Sequence, residues 1–304
     1  MITQVSSQLN SFGPYSENSK VLLACSGGAD STFLAHAYLH AAKNHALPEA
    51  IIAVIDHAQY AESSEDTHRI AERYRKLGFS VITQRLDCDV KINENEMRNR
   101  RYAALQQIAT ENKASQIFLA HHADDQAETV LQRIMRGTGL NGLVGMPARR
   151  PLTEEIEICR PLLEVRSAAM RDYLTQQHIG WHEDLSNSDV EYATRNKIRH
   201  QLLPQLAEIA TGDPVKALLK LADEATQWQA AQHEILAQQL DFADLPAYLR
   251  RQLIRRELLA EHEVVSPQRL LDLEGALMKK GSAVINQALR FSTSGGKLLV
   301  VARR

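Results

Sequence analysis

Through the first half of the chain, short unbroken apolar runs alternate with segments whose apolar positions recur at helical spacing. Lys20 to Cys25 (KVLLAC) predicts a strand, followed after a glycine-containing turn by a helix over Ser31 to Lys43. Ala50 to Asp56 is followed in the same way by Ser63 to Leu77, Phe79 to Leu86 by Glu94 to Glu111, and Gln116 to His121 by Asp125 to Arg136. Four βα units in series predict an α/β fold with an open, mostly parallel, doubly wound sheet, because strands apolar on both faces need helices over both. Ligands of such sheets sit at the carboxyl ends of the strands. Beyond about residue 205 the pattern becomes mainly helical: Pro214 to Leu240, Leu245 to Glu261 and Pro267 to Met278, then short strands between Ala283 and Ala302 around a Gly295-Gly296 turn. The expected organisation is one α/β domain over 1–206 and a smaller domain over 207–304.

Composition narrows the classes. The 304 residues are 44% hydrophobic and 24% charged, which suits a chain able to bury its own cores and excludes disorder as the main state. No run approaches the roughly 20 apolar residues of a membrane span, and the polar N-terminus does not read as a secretory signal, so a cytoplasmic protein with no membrane partner is expected. Cys25, Cys88 and Cys159 lie far apart with no C-x-x-C pair, which gives neither a disulfide framework nor a cysteine metal site. A net charge of -2 gives no overall attraction to nucleic acid. Polyanion contacts must then be local, at arginine clusters around Arg98 and Arg101, Arg133 and Arg136, and Arg195 and Arg199.

Two motifs carry chemistry. Ser26-Gly27-Gly28-Ala29-Asp30-Ser31 lies between the first strand and its helix, where glycines let backbone amides approach an anion and the helix N-terminus adds partial positive charge. No G-x-x-x-x-G-K-[ST] is present and no G-x-G-x-x-G follows a predicted strand, so neither a loop built to cradle a transferable γ-phosphate nor a dinucleotide loop is expected. The plain alternative is a tight turn with Asp30 and Ser31 as helix caps. The second motif, His121-His122-Ala123-Asp124-Asp125-Gln126-Ala127-Glu128-Thr129, runs from the fourth strand into a helix. Asp125 and Glu128 are three apart, so both carboxylates can face the strand ends, where hard oxygens suit Mg²⁺ beside phosphates. The same D-x-x-E is also the form of a capping box, and the histidines could be satisfied core residues.

The S-G-G-x-D-S loop resembles that of the PP-loop ATP pyrophosphatases, and H-H-x-D-D-Q-x-E-T-x-L-x-R-x-x-R-G-x-G-x-x-G-L-x-G-M over His121 to Met146 resembles the signature of the tRNA(Ile)-lysidine synthetases. Arg98-x-x-Arg101-Tyr102, Arg160-Pro161-Leu162-Leu163, Asp184-x-Ser186-Asn187 and Arg195-Asn196-x-Ile198-Arg199 follow in that family's order. The resemblance implies a cytoplasmic ligase that uses ATP and Mg²⁺ to adenylate the wobble cytidine of a tRNA(Ile) with a CAU anticodon, then attaches free L-lysine, releasing AMP and pyrophosphate. It implies ATP contacts at Ser26, Gly27, Gly28, Ala29, Asp30, Ser31, Asp56 and His57; Mg²⁺ at Asp30 and Asp125; catalytic roles for Asp30, His122, Asp124 and Asp125; and tRNA contacts at Arg98, Arg101, Arg133, Arg136, Arg195, Asn196 and Arg199. Which of His122, Asp124 and Asp125 takes the lysine proton stays open, as do the oligomeric state, with a homodimer admitted, and the lysine contacts. Asp56-His57-Ala58-Gln59-Tyr60 departs from the family's Asp-His-Gly-Leu-Arg, which removes a basic contact there. The alternatives are tRNA thiolation and a tRNA-binding protein that has lost its chemistry.

Overall fold

The first strand organises the molecule because it is buried on both faces. In the computed structural model, which describes residues 1–16, 18–56, 63–86, 94–183, 194–238 and 240–302, β1 (Lys20–Ala24) is buried from Val21 to Ala24. Val21 and Leu23 face one core with Phe33, Leu34, Tyr38 and Phe118, while Leu22 and Ala24 face another with Leu105, Ile108 and Ile117, as the two-residue period of a strand requires. Full burial of one such leucine stabilises the fold by about 1.5–3 kcal/mol.

Around β1 the chain builds α1 (Ile2–Ser11), α2 (Ala29–Asn44), β2 (Glu49–Asp56), α3 (Ser63–Lys76), β3 (Ser80–Arg85), α4 (Glu94–Glu111) and β4 (Ala114–Leu119). Then follow α5 (Ala123–Met135), the short α6 (Leu140–Leu143), β5 (Arg149–Pro151), β6 (Glu157–Cys159) and α7 (Ser167–Gln176). The sheet order is β3-β2-β1-β4-β6-β5, parallel except for β5. All four expected βα units are present, within a few residues of their expected ends. From β1 the chain first winds outward through β2 and β3, then returns to β4 on the other side. The order reverses between β1 and β4, and a crevice opens above that point.

After residue 193, α8 (Thr194–Lys197), one π-helical turn (Ile198–Leu202) and α9 (Leu203–Ile209) lead to α10 (Pro214–Ala237). The π turn places Ile198 with Ala123 and Ala127 of α5 in a small separate core. Contacts divide the chain into Met1–Asp223 and Glu224–Arg304, so the division falls inside α10 rather than at the 206/207 boundary read from the sequence. The second unit holds α11 (Ala247–Ala260), α12 (Pro267–Lys280) and the antiparallel strands β7 (Ser282–Val284), β8 (Leu289–Ser294) and β9 (Lys297–Ala302) around Phe291, Ile254 and Leu273. Ser266 caps α12 through its hydroxyl, which accepts from the Arg269 amide at 3.2 Å, and Pro267 occupies the first turn. Among the described residues, no helix is long and apolar enough to cross a membrane.

Candidate active site

The loop after β1 holds its shape through backbone that only glycine tolerates. Gly27 has φ +85°, and a Cβ there would lie 2.6 Å from Ile70 of α3. Gly28 is the N-cap of α2 with no side-chain cap, so no capping side chain occupies the amides of the first turn and they remain available to an anion. The Ser31 hydroxyl donates to Gly28 O at 3.0 Å and lies 3.4 Å from that of Ser26. The helix-cap alternative for Asp30 fails: its carboxylate crosses the crevice and accepts from the Ser167 hydroxyl of α7 at 2.9 Å. A cavity of about 200 Å³ above the loop is lined by Ser26, Gly28, Ser31, Arg101 and His121.

At the end of β4, His122 is the hub of a buried charge cluster. Its Nε2 lies 3.5 Å from both Asp30 and Asp125, and its Nδ1 lies 3.4 Å from Asp124. Burial disfavours the imidazolium, but hydrogen bonds to Asp124 and Asp30 and the charge of Asp125 outweigh it and push the pKa up to about 10. Burial likewise opposes the charge on Asp30, yet His122 and the Ser167 hydroxyl hold that carboxyl below its usual range. For Asp124 burial is outweighed by His122, the Ser167 amide at 2.8 Å and Arg166 at 2.8 Å, again lowering the pKa. At neutral pH the cluster is one cation among three anions.

Asp125 and Glu128 do share a face of α5, as their spacing requires, but that face meets arginines rather than the loop cavity. Arg195 donates through Nε to Glu128 at 2.6 Å and through Nη2 to Asp125 at 2.7 Å; Arg199 does the same at 2.6 and 3.0 Å. The other Asp125 oxygen accepts the His122 amide at 3.0 Å, which makes Asp125 the third residue of a box capped at His122, not the first of one ending at Glu128. The amide of Asp125 approaches His122 Nδ1 only to 3.5 Å, too long to claim that nitrogen's lone pair, so Nδ1 can carry a proton toward Asp124. Both oxygens of Asp125 are therefore engaged within the protein. Asp30, with a side chain 32% exposed, keeps room for a cation beside a nucleotide. The residues thus fit Mg²⁺ held by one carboxylate and phosphate oxygens, and do not fit a two-aspartate site. Among the described residues no group of three or more His, Cys, Asp or Glu is arranged to hold a metal ion on its own.

The arginines read together as tRNA contacts separate into different roles. Arg101 lines the loop cavity and has no hydrogen-bond or ion-pair partner among the described residues. Arg133 donates to the carbonyls of Gly142 and Gly145 at 2.9 and 2.8 Å and pins the glycine-rich loop after α5. The amide of Gln126 holds Met146 of that loop in both directions, and a Cβ on Gly145 would lie 2.7 Å from it. Arg195 and Arg199 are committed to Asp125 and Glu128. Arg98 stacks on Tyr102 at 5.0 Å and Arg136 ends α5; both are exposed, and Asn196 lies in α8. Asp56 is buried and accepts from Ser64 at 2.8 Å rather than lining the loop cavity, while His57 and the Asp184-x-Ser186-Asn187 motif lie outside the described residues.

A second cavity of about 510 Å³ adjoins the first through Asp30. Its walls combine Asp124, Asp213, Arg166 and Arg199 with apolar Leu203 and Val215. Arg166, which links Asp124 to Asp213 at 2.8 and 2.6 Å, was not singled out from the sequence, since only its position beside α5 gives it meaning.

A model of the family described as "PP-loop domain" matches residues 1–206. A tRNA(Ile)-lysidine synthase of Pseudomonas aeruginosa is 36% identical over 200 residues, which are 66% of this chain and 44% of that protein. One from Solibacter usitatus is 32% identical over 81% of this chain and 55% of its own length, and one from Nostoc sp. is 31% identical over 84% of this chain and 79% of its own. The chain belongs to the tRNA(Ile)-lysidine synthase family. It spans about half the length of the Pseudomonas and Solibacter relatives. Among solved structures, the U34-tRNA thiolase NcsA from Methanococcus maripaludis, with its [4Fe-4S] cluster, superposes with a TM-score of 0.58 at 14% identity, covering 73% of this chain and 80% of the thiolase. That likeness shows a shared fold between a lysidine synthase family member and a thiolase, and nothing about chemistry.

Proposed function

We propose that the chain is a cytoplasmic ligase that joins free L-lysine to C2 of the wobble cytidine in the CAU anticodon of a tRNA(Ile), at the expense of ATP. The observation that supports this most is the junction at the β1/β4 crevice: an anion-binding loop and a second cavity sharing the carboxylate of Asp30. In the first step the cytidine O2 attacks the α-phosphorus of ATP, an O–P bond forms, and pyrophosphate leaves. Ser26, Ser31, the α2 amides and Arg101 would hold the phosphate chain, with donors placed where charge develops. Mg²⁺ at Asp30 would neutralise charge on the nucleotide.

In the second step the lysine ε-amine attacks C2, the C2–O bond breaks, AMP leaves and one proton is lost from nitrogen. The larger cavity falls in the size range of small-ligand sites, and its acidic, basic and apolar walls suit an amino acid with a long methylene chain. Lysine enters as an ammonium with a pKa of about 10.4, so the reaction needs a proton acceptor. His122 does not serve, since its imidazole already carries a proton up to about pH 10. Asp124 is held by Arg166 and a backbone amide, and Asp125 by two arginines and a backbone amide, which argues against either as that acceptor.

Thiolation is not favoured by any observation here. Burial pushes the thiols of Cys25 and Cys159 up to about 12, which leaves no thiolate at neutral pH, and Cys88 lies outside the described residues. Incubation with tRNA, Mg·ATP and lysine, followed by mass analysis of nucleosides and chromatography of the nucleotide, tests the proposal. Lysidine with AMP is expected; ADP as the main product, or a nucleoside carrying sulfur, would overturn it.

A further inference from the structure

Two adjacent histidines at the end of β4 face opposite electrostatic environments. His122 is enclosed by carboxylates, whereas His121 meets a guanidinium: Arg160 Nε lies 3.2 Å from His121 Nδ1. A guanidinium has only donors, so in this contact Nδ1 must present its lone pair, and the neutral ring must carry its proton on Nε2. Arg160 cannot swing away cheaply. Only 2% exposed, it also donates through Nη1 to Pro147 O at 2.8 Å, and its own amide bonds Ala148 O at 2.9 Å. His121 lines the loop cavity, and its Nε2 has no partner among the described residues.

We propose that Arg160 is a positioning residue that fixes His121 as a neutral Nε2–H donor, which then bonds a phosphate oxygen of the nucleotide in the loop cavity. This rests on the ATP-dependent reading of that cavity. The chemical logic is that a neutral imidazole donates a hydrogen bond without giving its proton to the departing group or adding charge beside Arg101. Charged groups face His121 from four directions: Asp125 of α5 favours protonation, while Arg160, Arg101 of α4 and Arg195 of α8 oppose it. Burial is the largest influence and acts with the arginines, holding the ring neutral with a pKa down at about 3. Removal of Arg160 deletes the nearest of these cations and the lock on Nδ1 together. The sequence marked Arg160 only as part of the Arg160-Pro161-Leu162-Leu163 run and gave it no role.

The test is the nitrogen spectrum of ¹⁵N-histidine-labelled protein, with His121 assigned by its loss in His121→Gln, together with the pH dependence of pyrophosphate release. In the wild-type protein His121 is expected as a single Nε2–H tautomer that does not titrate between pH 5 and 8. In Arg160→Leu it should become a mixture of the Nε2–H and Nδ1–H tautomers, still uncharged between pH 5 and 8 because burial, Arg101 and Arg195 continue to oppose protonation. Pyrophosphate release should then fall several-fold across pH 5 to 8, since only the Nε2–H fraction can donate to the nucleotide. A charged or Nδ1–H His121 in the wild-type protein overturns the proposal without any variant. A folded Arg160→Leu protein in which His121 keeps the single wild-type tautomer also overturns it and returns Arg160 to a brace for the Pro147 loop. Failure of the ligase reading would appear separately, as no pyrophosphate from the wild-type protein.

Discussion

Replacement of Arg195 and Arg199 by alanine separates two accounts of the same arginines. As tRNA contacts they would each contribute a phosphate interaction, and the slope of log affinity against log salt would fall by about 1.4–1.8 for the pair. The structure gives them another task. Glu128 is fully buried, and its two oxygens receive one Nε–H from each arginine at 2.6 Å. Without them a carboxylate stays buried with no partner, a loss of roughly 3–5 kcal/mol when a buried pair is broken. The arginine side chains are 28% and 37% exposed, so solvent screening places the cost toward the lower end. In a unit of this size, Met1–Asp223, each kcal/mol lowers Tm by roughly 2–4 °C, which gives about 6–12 °C. Calorimetry of Arg195→Ala/Arg199→Ala, and tRNA titrations over a salt series, should show that drop with an unchanged slope. Addition of Glu128→Gln to the double variant should restore part of the loss, since it removes the stranded charge. A Tm within 2 °C of wild type, with a slope smaller by more than one, would refute the reasoning.

Asp30→Asn should abolish pyrophosphate release and lower Tm only modestly, because Asp30 is partly exposed, its Ser167 bond survives as an amide contact and His122 keeps Asp124 and Asp125 as partners; near-native turnover would remove Asp30 from the chemistry. His122 should make metal-free stability pH-dependent: its pKa is raised on folding, so its contribution is complete below about 6.5, declines as pH rises and is gone above about 10. Urea unfolding midpoints of wild type and His122→Gln should therefore converge between pH 7 and 10, and a constant gap would refute the charged cluster. Asp30, Asp124 and Asp125 act in the opposite sense, with pKa values lowered on folding, so their stabilisation holds above about 4 and is lost as acid protonates them. A Cys25→Ala, Cys88→Ser, Cys159→Ser variant should still modify tRNA in a lysine-dependent way, with some loss of stability from the buried Cys25; a folded variant that adenylates but cannot complete modification would count against amine transfer.

The sequence by itself determined the four βα units at the centre of the sheet and the strand end that carries the glycine loop. Runs such as Val21 to Ala24 are apolar at every position, so they can only be strands covered on both faces, and a Gly-Gly turn after the first of them puts an anion loop at a strand end. The start of α12 at Pro267 was similarly local, since a side-chain cap on Ser266 and a fixed proline φ need no distant partner; the helix runs past the Met278 end read from the sequence to Lys280, before the left-handed Gly281 at +65°. The helix Ile2–Ser11 was missed because its core residues, Val5 and Leu9, are few among Gln and Ser, and only packing against α2 and Phe12 makes them a face. The edge pair β5 and β6 was missed for a related reason, since strands of three residues carry no period.

What only the tertiary structure decided is which charges meet. Spacing showed that Asp125 and Glu128 share a face of α5, yet it could not show that Arg195 and Arg199, some seventy residues onward, would occupy that face and leave Asp30 as the carboxylate open to a cation. Nor could it give adjacent histidines opposite protonation states. His121 and His122 are identical neighbours in sequence, and their difference comes from Arg160 on one side of β4 and three aspartates on the other. A titratable group responds to the charges within a few ångströms, and folding chooses those neighbours from the whole chain.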